Sequence, residues 1–162
     1  MIRKLTVIGA SGKLAVPIIN RLQENGVEVT AVVRDIEKAQ KVLPAGTEIL
    51  VADLADKESL ASALQGTEYL YLNLSTHDPK ADFITETDGV KNILEIAKNT
   101  PLKQILKISG IGALHPEFNT KGDTFDANEI RTTSHQLIKD SEIAFTIFPS
   151  KLVFECTSLV YK

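Results

Sequence analysis

Tryptophan is missing from this sequence, and cysteine and methionine occur once each. A lone Cys156 excludes an internal disulfide framework and fits a reducing compartment. It has no matched base, so it is not read as a nucleophile. The three histidines, His77, His115 and His135, show no metal-ligand spacing, and no metal site is expected. Long apolar runs are also missing. The N-terminal "MIRKLTVIGASG" is interrupted at Gly9, too early for a signal-peptide core and far too early to cross a bilayer. A cytoplasmic location without membrane contact is therefore expected. Neither sign of charge dominates: 18 Lys and Arg stand against 21 Asp and Glu, for a net −3. That balance gives no general attraction to nucleic acid, and no basic cluster interleaved with aromatics is present.

What remains is the composition of one ordinary globular domain: 162 residues, 43% apolar and 24% charged. Short apolar runs alternate with helical patterns and no repeat interrupts them. Strands are expected at 5–8, 27–33, 47–53, 67–74, 103–109 and 143–148. Helices are expected at 13–25, 36–42, 57–66, 81–99 and 126–140, with a loop over 110–124. In the first helix Leu14, Ile18, Ile19 and Leu22 share a face, Pro17 fits the first turn, and Gly26 closes the end. In the long fourth helix Phe83, Val90, Ile93, Leu94 and Ala97 are expected to turn inward. Strands joined by crossover helices specify an α/β fold: a doubly wound parallel sheet covered on both faces, in three α/β/α layers.

The junction of the first strand and helix reads "VIGASGKLA" (7–15). Gly9 permits a tight turn, Gly12 a close backbone approach to a pyrophosphate, and Ala15 close packing of helix on strand. The helix start then faces the anion, and Lys13 adds positive charge. Gly9, Ser11, Gly12, Lys13 and Leu14 are thus candidate dinucleotide ligands. A glycine-rich turn with no ligand is the competing explanation, and the alternating pattern around it argues against that.

The second strand ends in "AVVRD" (31–35), where Arg34 lies nineteen positions after Ala15. An acid there would hold the ribose hydroxyls of NAD, whereas arginine suits the 2′-phosphate of NADP. NADP(H) is therefore favoured, with NAD(H) the alternative. Asp35 is either a ribose-binding acid one place late or the N-cap of the next helix, the second being favoured. After the third strand, Asp53 and Leu54 are candidates for the adenine, and Asp56 for a helix cap with Ser59. Asn73, Ser75, Thr76 and His77 follow the fourth strand, and Ser109 and Gly110 end the fifth, at the sheet edge that lines ligand crevices. Asn73, Ser75, Ser109 and Gly110 are taken as cofactor candidates. His77 is read as an exposed loop residue and His135 as a helix-surface residue.

Taken in order, "GASGKLA", "VVRD", "ADLADKESL", "KISGIGA" and "HQLIKDSEIAFTIFPS" resemble the atypical short-chain dehydrogenases, in particular the NmrA-like NAD(P)-binding group. The resemblance covers about residues 1–150 and implies a Rossmann-like NAD(P)-binding domain there, with 151–162 as a short tail. It implies NADPH-dependent reduction of a small carbonyl, quinone or similar acceptor. The alternative it carries is a redox sensor that binds nucleotide without turnover. Two departures stand out. The Tyr-x-x-x-Lys pair usual after the fifth-strand serine is missing, since 110–140 contains no tyrosine. The chain also stops about a dozen residues past "TIFPS", where the family normally continues into a substrate region. The catalytic residues are unassigned, the substrate is an unidentified small molecule, and a homodimer through flanking helices or the apolar tail is compatible with the sequence.

Overall fold

The computed structural model describes residues 2–75, 81–115, 117 and 125–149. Thr76, His77, Cys156 and the 151–162 tail, all named above, lie outside the described residues. Six strands are present: β1 (Lys4–Ile8), β2 (Glu28–Val33), β3 (Glu48–Val51), β4 (Tyr69–Leu72), β5 (Gln104–Ser109) and β6 (Ala144–Pro149). All pairs are parallel and the spatial order is β3-β2-β1-β4-β5-β6. This is the Rossmann-like doubly wound sheet. Its strand order reverses beside β1, so the crevice at the carboxyl ends of β1 and β4 is the natural ligand position.

Alternation of side chains along each strand feeds two cores. On one face Val7, Val29, Ala31 and Tyr71 pack with Ala15 and Ile19 of α1 (Ala15–Glu24) and Ala39 of α2 (Ile36–Val42). On the other, Ile8, Val32, Leu70, Leu72 and Ile105 pack with Leu60 of α3 (Lys57–Ala63). Val90 and Ile93 of α4 (Val90–Ala97) and Ile138 of α6 (Phe125–Lys139) complete that face. A short α5 (Ile111–Leu114) occupies part of the expected 110–124 loop. Its tie is the His115 N–H donating to the Ile111 carbonyl at 2.8 Å.

Helix ends follow their sequence signals. Pro17 is the third residue of α1, where its missing N–H costs nothing. Gly26, at φ 77°, ends the helix: its N–H donates to the Gln23 carbonyl while that of Val27 donates to Leu22. The expected helix over 81–99 differs in its first half. It starts as a π-helical turn, Thr85–Gly89, that leads into α4. Because the helical segment begins only at Thr85, Phe83 precedes it and faces a cavity instead of the core. Among the described residues no helix is long and apolar enough to cross a membrane.

Candidate dinucleotide site

A cavity of about 980 Å³ opens at the carboxyl ends of β1 to β4, the size range of a small-molecule site. Gly9, Ser11, Gly12, Lys13, Leu14, Arg34, Asp53, Leu54, Asn73 and Ser75 all line it. Ser109 and Gly110 do not. Lys38, Phe83 and Thr85 line it as well, and the sequence reading did not single these out as site residues. Lys38 was within reach of sequence reasoning, because it stands one helical turn after Arg34.

The glycine turn is fixed by Asn73. Gly9 has φ 73°, a conformation costly for other residues. A Cβ there would also collide with the Asn73 carbonyl oxygen. The Asn73 side-chain amide donates to the Gly9 carbonyl at 3.2 Å. A Cβ on Gly12 would lie 2.5 Å from the same amide nitrogen and 3.1 Å from the Gly9 carbonyl. The turn is thus a cradle that a single added carbon would fill.

Helix starts divide into two kinds. Asp35 caps α2, its Oδ1 accepting from the Lys38 N–H at 2.9 Å. Asp56 caps α3, accepting from Glu58 and Ser59, and these bonds hold its carboxyl below the usual range. Helix α1 has no side-chain cap and no acid in its first turn, and its start faces the cavity. Its Ala15 and Val16 N–H groups bond to the Gly12 carbonyl, so it is the helix dipole and the turn ahead of the helix that suit an anion the chain itself does not supply. Around the rim, Arg34 is exposed at the end of β2 with Lys38 beside the same cavity. Asp53 Oδ1 accepts from the Ala55 N–H at 2.9 Å, and the Leu54 carbonyl accepts from Asn92 at 2.8 Å, which holds this segment against the wall. On the far side Thr85 donates its hydroxyl proton to the Ser75 carbonyl at 2.6 Å.

A second polar group lies behind this wall, between β5, the π turn and α6. Lys107 in β5 and Glu86 in the π turn have their charged atoms 2.7 Å apart, with side chains 0% and 2% exposed. The contact is a close, buried ion pair. Burial lowers the Lys107 pKa more than Glu86 raises it. Two residues on, Ser109 Oγ lies 2.8 Å from His135 Nε2. His135 is not on the helix surface as expected; it is 3% exposed. Removal from water pushes its pKa down to about 4, and Lys107, Lys139 and Arg131 push the same way. Arg131, one turn earlier on α6, lays its guanidinium against Gly110. Among the described residues no cluster of three or more His, Cys, Asp or Glu could hold a metal ion.

A family model described as NAD(P)H-binding matches residues 9–152. Quinone oxidoreductase 2 of Escherichia coli is 28% identical over 145 residues, covering 88% of this chain and 46% of its own length. The crystal structure of that NADPH-dependent quinone oxidoreductase complexed with NADPH superposes with a TM-score of 0.72 at 26% identity, covering 90% of this chain and 48% of that one. Anthocyanidin reductase of Arabidopsis thaliana is 29% identical over 171 residues, covering 96% of this chain and 50% of its own. An NmrA-like family domain-containing oxidoreductase of Cladobotryum sp is 30% identical over 112 residues, covering 65% and 33%. The resemblance drawn from the sequence motifs is borne out. The chain spans about half the length of the curated relatives it matches.

Proposed function

The chain belongs to the NAD(P)H-binding family, and on that premise we propose that it binds NADP(H) in the cavity above the glycine turn and uses it to reduce a small carbonyl, quinone or similar acceptor. The observation that carries this reading is the uncapped start of α1 beneath a Gly9–Gly12 cradle, with Arg34 and Lys38 on the rim. Gly9, Ser11, Gly12, Lys13 and Leu14 take the pyrophosphate: Gly9 and Gly12, whose own N–H groups bond to Val32 and Gly9, give it room, and the segment Ser11, Lys13 and Leu14 faces it with backbone N–H groups and one cation. Arg34, seconded by Lys38, holds the 2′-phosphate, so NADP(H) is preferred and NAD(H) binds more weakly. Asp53 and Leu54 face the adenine. Asn73 and Ser75 take the central part of the dinucleotide, with Ser109 and Gly110 at the nicotinamide end. Residues 1–150 are assigned to this binding unit.

Bound NADPH supplies a hydride; the protein's part is to orient the acceptor and shield the step. With no tyrosine between 110 and 140, the proton that completes reduction comes from water or from the acceptor itself. The same missing tyrosine favours a second reading, a redox sensor that binds NADP(H) without turnover. Steady-state NADPH oxidation across a quinone and carbonyl panel separates the two. Turnover on any acceptor supports the reductase. Tight NADPH binding with no turnover supports the sensor.

A further inference from the structure

Charge in the buried group behind the cavity does not balance. Glu86 is the carboxylate within it, and it is used by Lys107 at 2.7 Å. His135 is neutral near pH 7, since its pKa is about 4. That leaves Arg131, half-buried, whose guanidinium donates only a long 3.4 Å bond to Asn128 Oδ1. No carboxylate pairs with it among the described residues. A half-buried guanidinium gains from a bidentate acid, and this one has none among the described residues.

Its position is set by glycine. A Cβ on Gly110 would lie 2.9 Å from Arg131 Nη1, so the guanidinium packs on bare backbone at the carboxyl end of β5. In the parallel register Leu72 lies opposite Lys107. Ser109 and Gly110 close β5, the strand paired with β4, and the segment that follows β4 carries Leu74 and Ser75 into the cavity wall. The cation thus stands behind the cavity's lining residues, on the β5 side, against Gly110 at the end assigned above to the nicotinamide.

Resting on the reductase reading, we infer that Arg131 is the anion-recognition residue of the acceptor site, and that the acceptor carries a carboxylate or similar acidic oxygen group. The uncompensated charge then has a partner that arrives with the substrate, and neutral acceptors of the same shape bind less well.

The test reads binding apart from turnover. Calorimetric titration of the NADPH-loaded protein compares 2-naphthoate with its uncharged carboxamide. We expect the acid to bind at least about tenfold more tightly, the scale of one charge-assisted contact. Arg131→Gln should abolish that preference and leave NADPH affinity within twofold. Arg131→Lys should keep part of it. Gly110→Ala, which displaces the guanidinium without removing it, should reduce it. Equal binding of acid and amide, no binding of either, or an Arg131→Gln variant that loses NADPH affinity tenfold would each overturn the assignment, the last by moving Arg131 into the cofactor site. Failure of the reductase reading shows separately, as no NADPH oxidation with any acceptor.

Discussion

Asn73 and Gly12 are mutually exclusive with one more carbon between them: a Cβ at position 12 would stand 2.5 Å from the Asn73 side-chain nitrogen. The same nitrogen donates to the Gly9 carbonyl at 3.2 Å. One side chain from the end of β4 thus fixes the shape of the turn after β1, sixty-odd residues away in sequence. The glycine spacing alone suggested room for a pyrophosphate. The structure adds that Asn73 already occupies one side of that room.

Gly12→Ala should therefore act through Asn73. The amide must swing away and give up its bond to Gly9, at a cost of about 1 kcal/mol in stability. NADPH affinity should fall at least tenfold, because the cradle changes shape. Adding Asn73→Ala should recover part of the stability loss, so the double-mutant cycle should be non-additive by roughly 0.5 kcal/mol or more. Strict additivity in denaturant titrations would show that the two positions do not meet.

Lys107 and Glu86 make a second, harsher prediction. Either Lys107→Met or Glu86→Gln leaves an unpaired buried charge or an unmatched polar group, and should cost about 3–5 kcal/mol. The double replacement Glu86→Leu with Lys107→Met removes both charges and should return stability to within roughly 1 kcal/mol of wild type. Urea midpoints for the three variants check this. Two mild single mutants would mean that water reaches the pair.

His135 gives the pH dependence. Its folded-state pKa of about 4 lies below the ordinary value of 6.5. Between these values the unfolded chain binds a proton that the folded chain refuses, so stability falls as pH falls through that window. The loss should be on the order of 3 kcal/mol, beginning near pH 6.5 and complete near pH 4. Burial is what chiefly holds the ring neutral, with the neighbouring charges of Lys107, Lys139 and Arg131 acting in the same direction, while Ser109 Oγ is its hydrogen-bond partner. His135→Asn should flatten this part of the stability–pH curve. A variant with an unchanged slope would assign the effect to carboxylates instead.

Much of this was legible from the residues alone because it is local. The Asp35 and Asp56 caps and the Gly26 stop each depend on neighbours within a few positions, and each stands where its sequence signal placed it. The polar group around β5 depends on distant partners. Lys107 reads as one polar residue in "KQILKIS", and its mate Glu86 sits in a turn twenty-one positions earlier. One signal was available: a sheet covered on both faces leaves a lysine in an inner strand no water to reach, so it needs an acid. His135 was lost because its helix is weakly amphipathic, with Ser134, His135 and Ile138 sharing the buried side. Phe83 stands outside the expected helix because the helical segment starts at Thr85 and not at 81, and no capping residue in the sequence marks that start.

The central claim, that the cavity above the glycine turn holds NADP(H) through Arg34, is tested most directly by calorimetric titration of NADPH and NADH into wild type and Arg34→Ala. The account predicts tighter binding of NADPH than NADH in the wild type. It also predicts a loss of about 1.5–3 kcal/mol for NADPH in the variant, with NADH almost unchanged. Equal affinities in the wild type, or no binding of either dinucleotide, would contradict it.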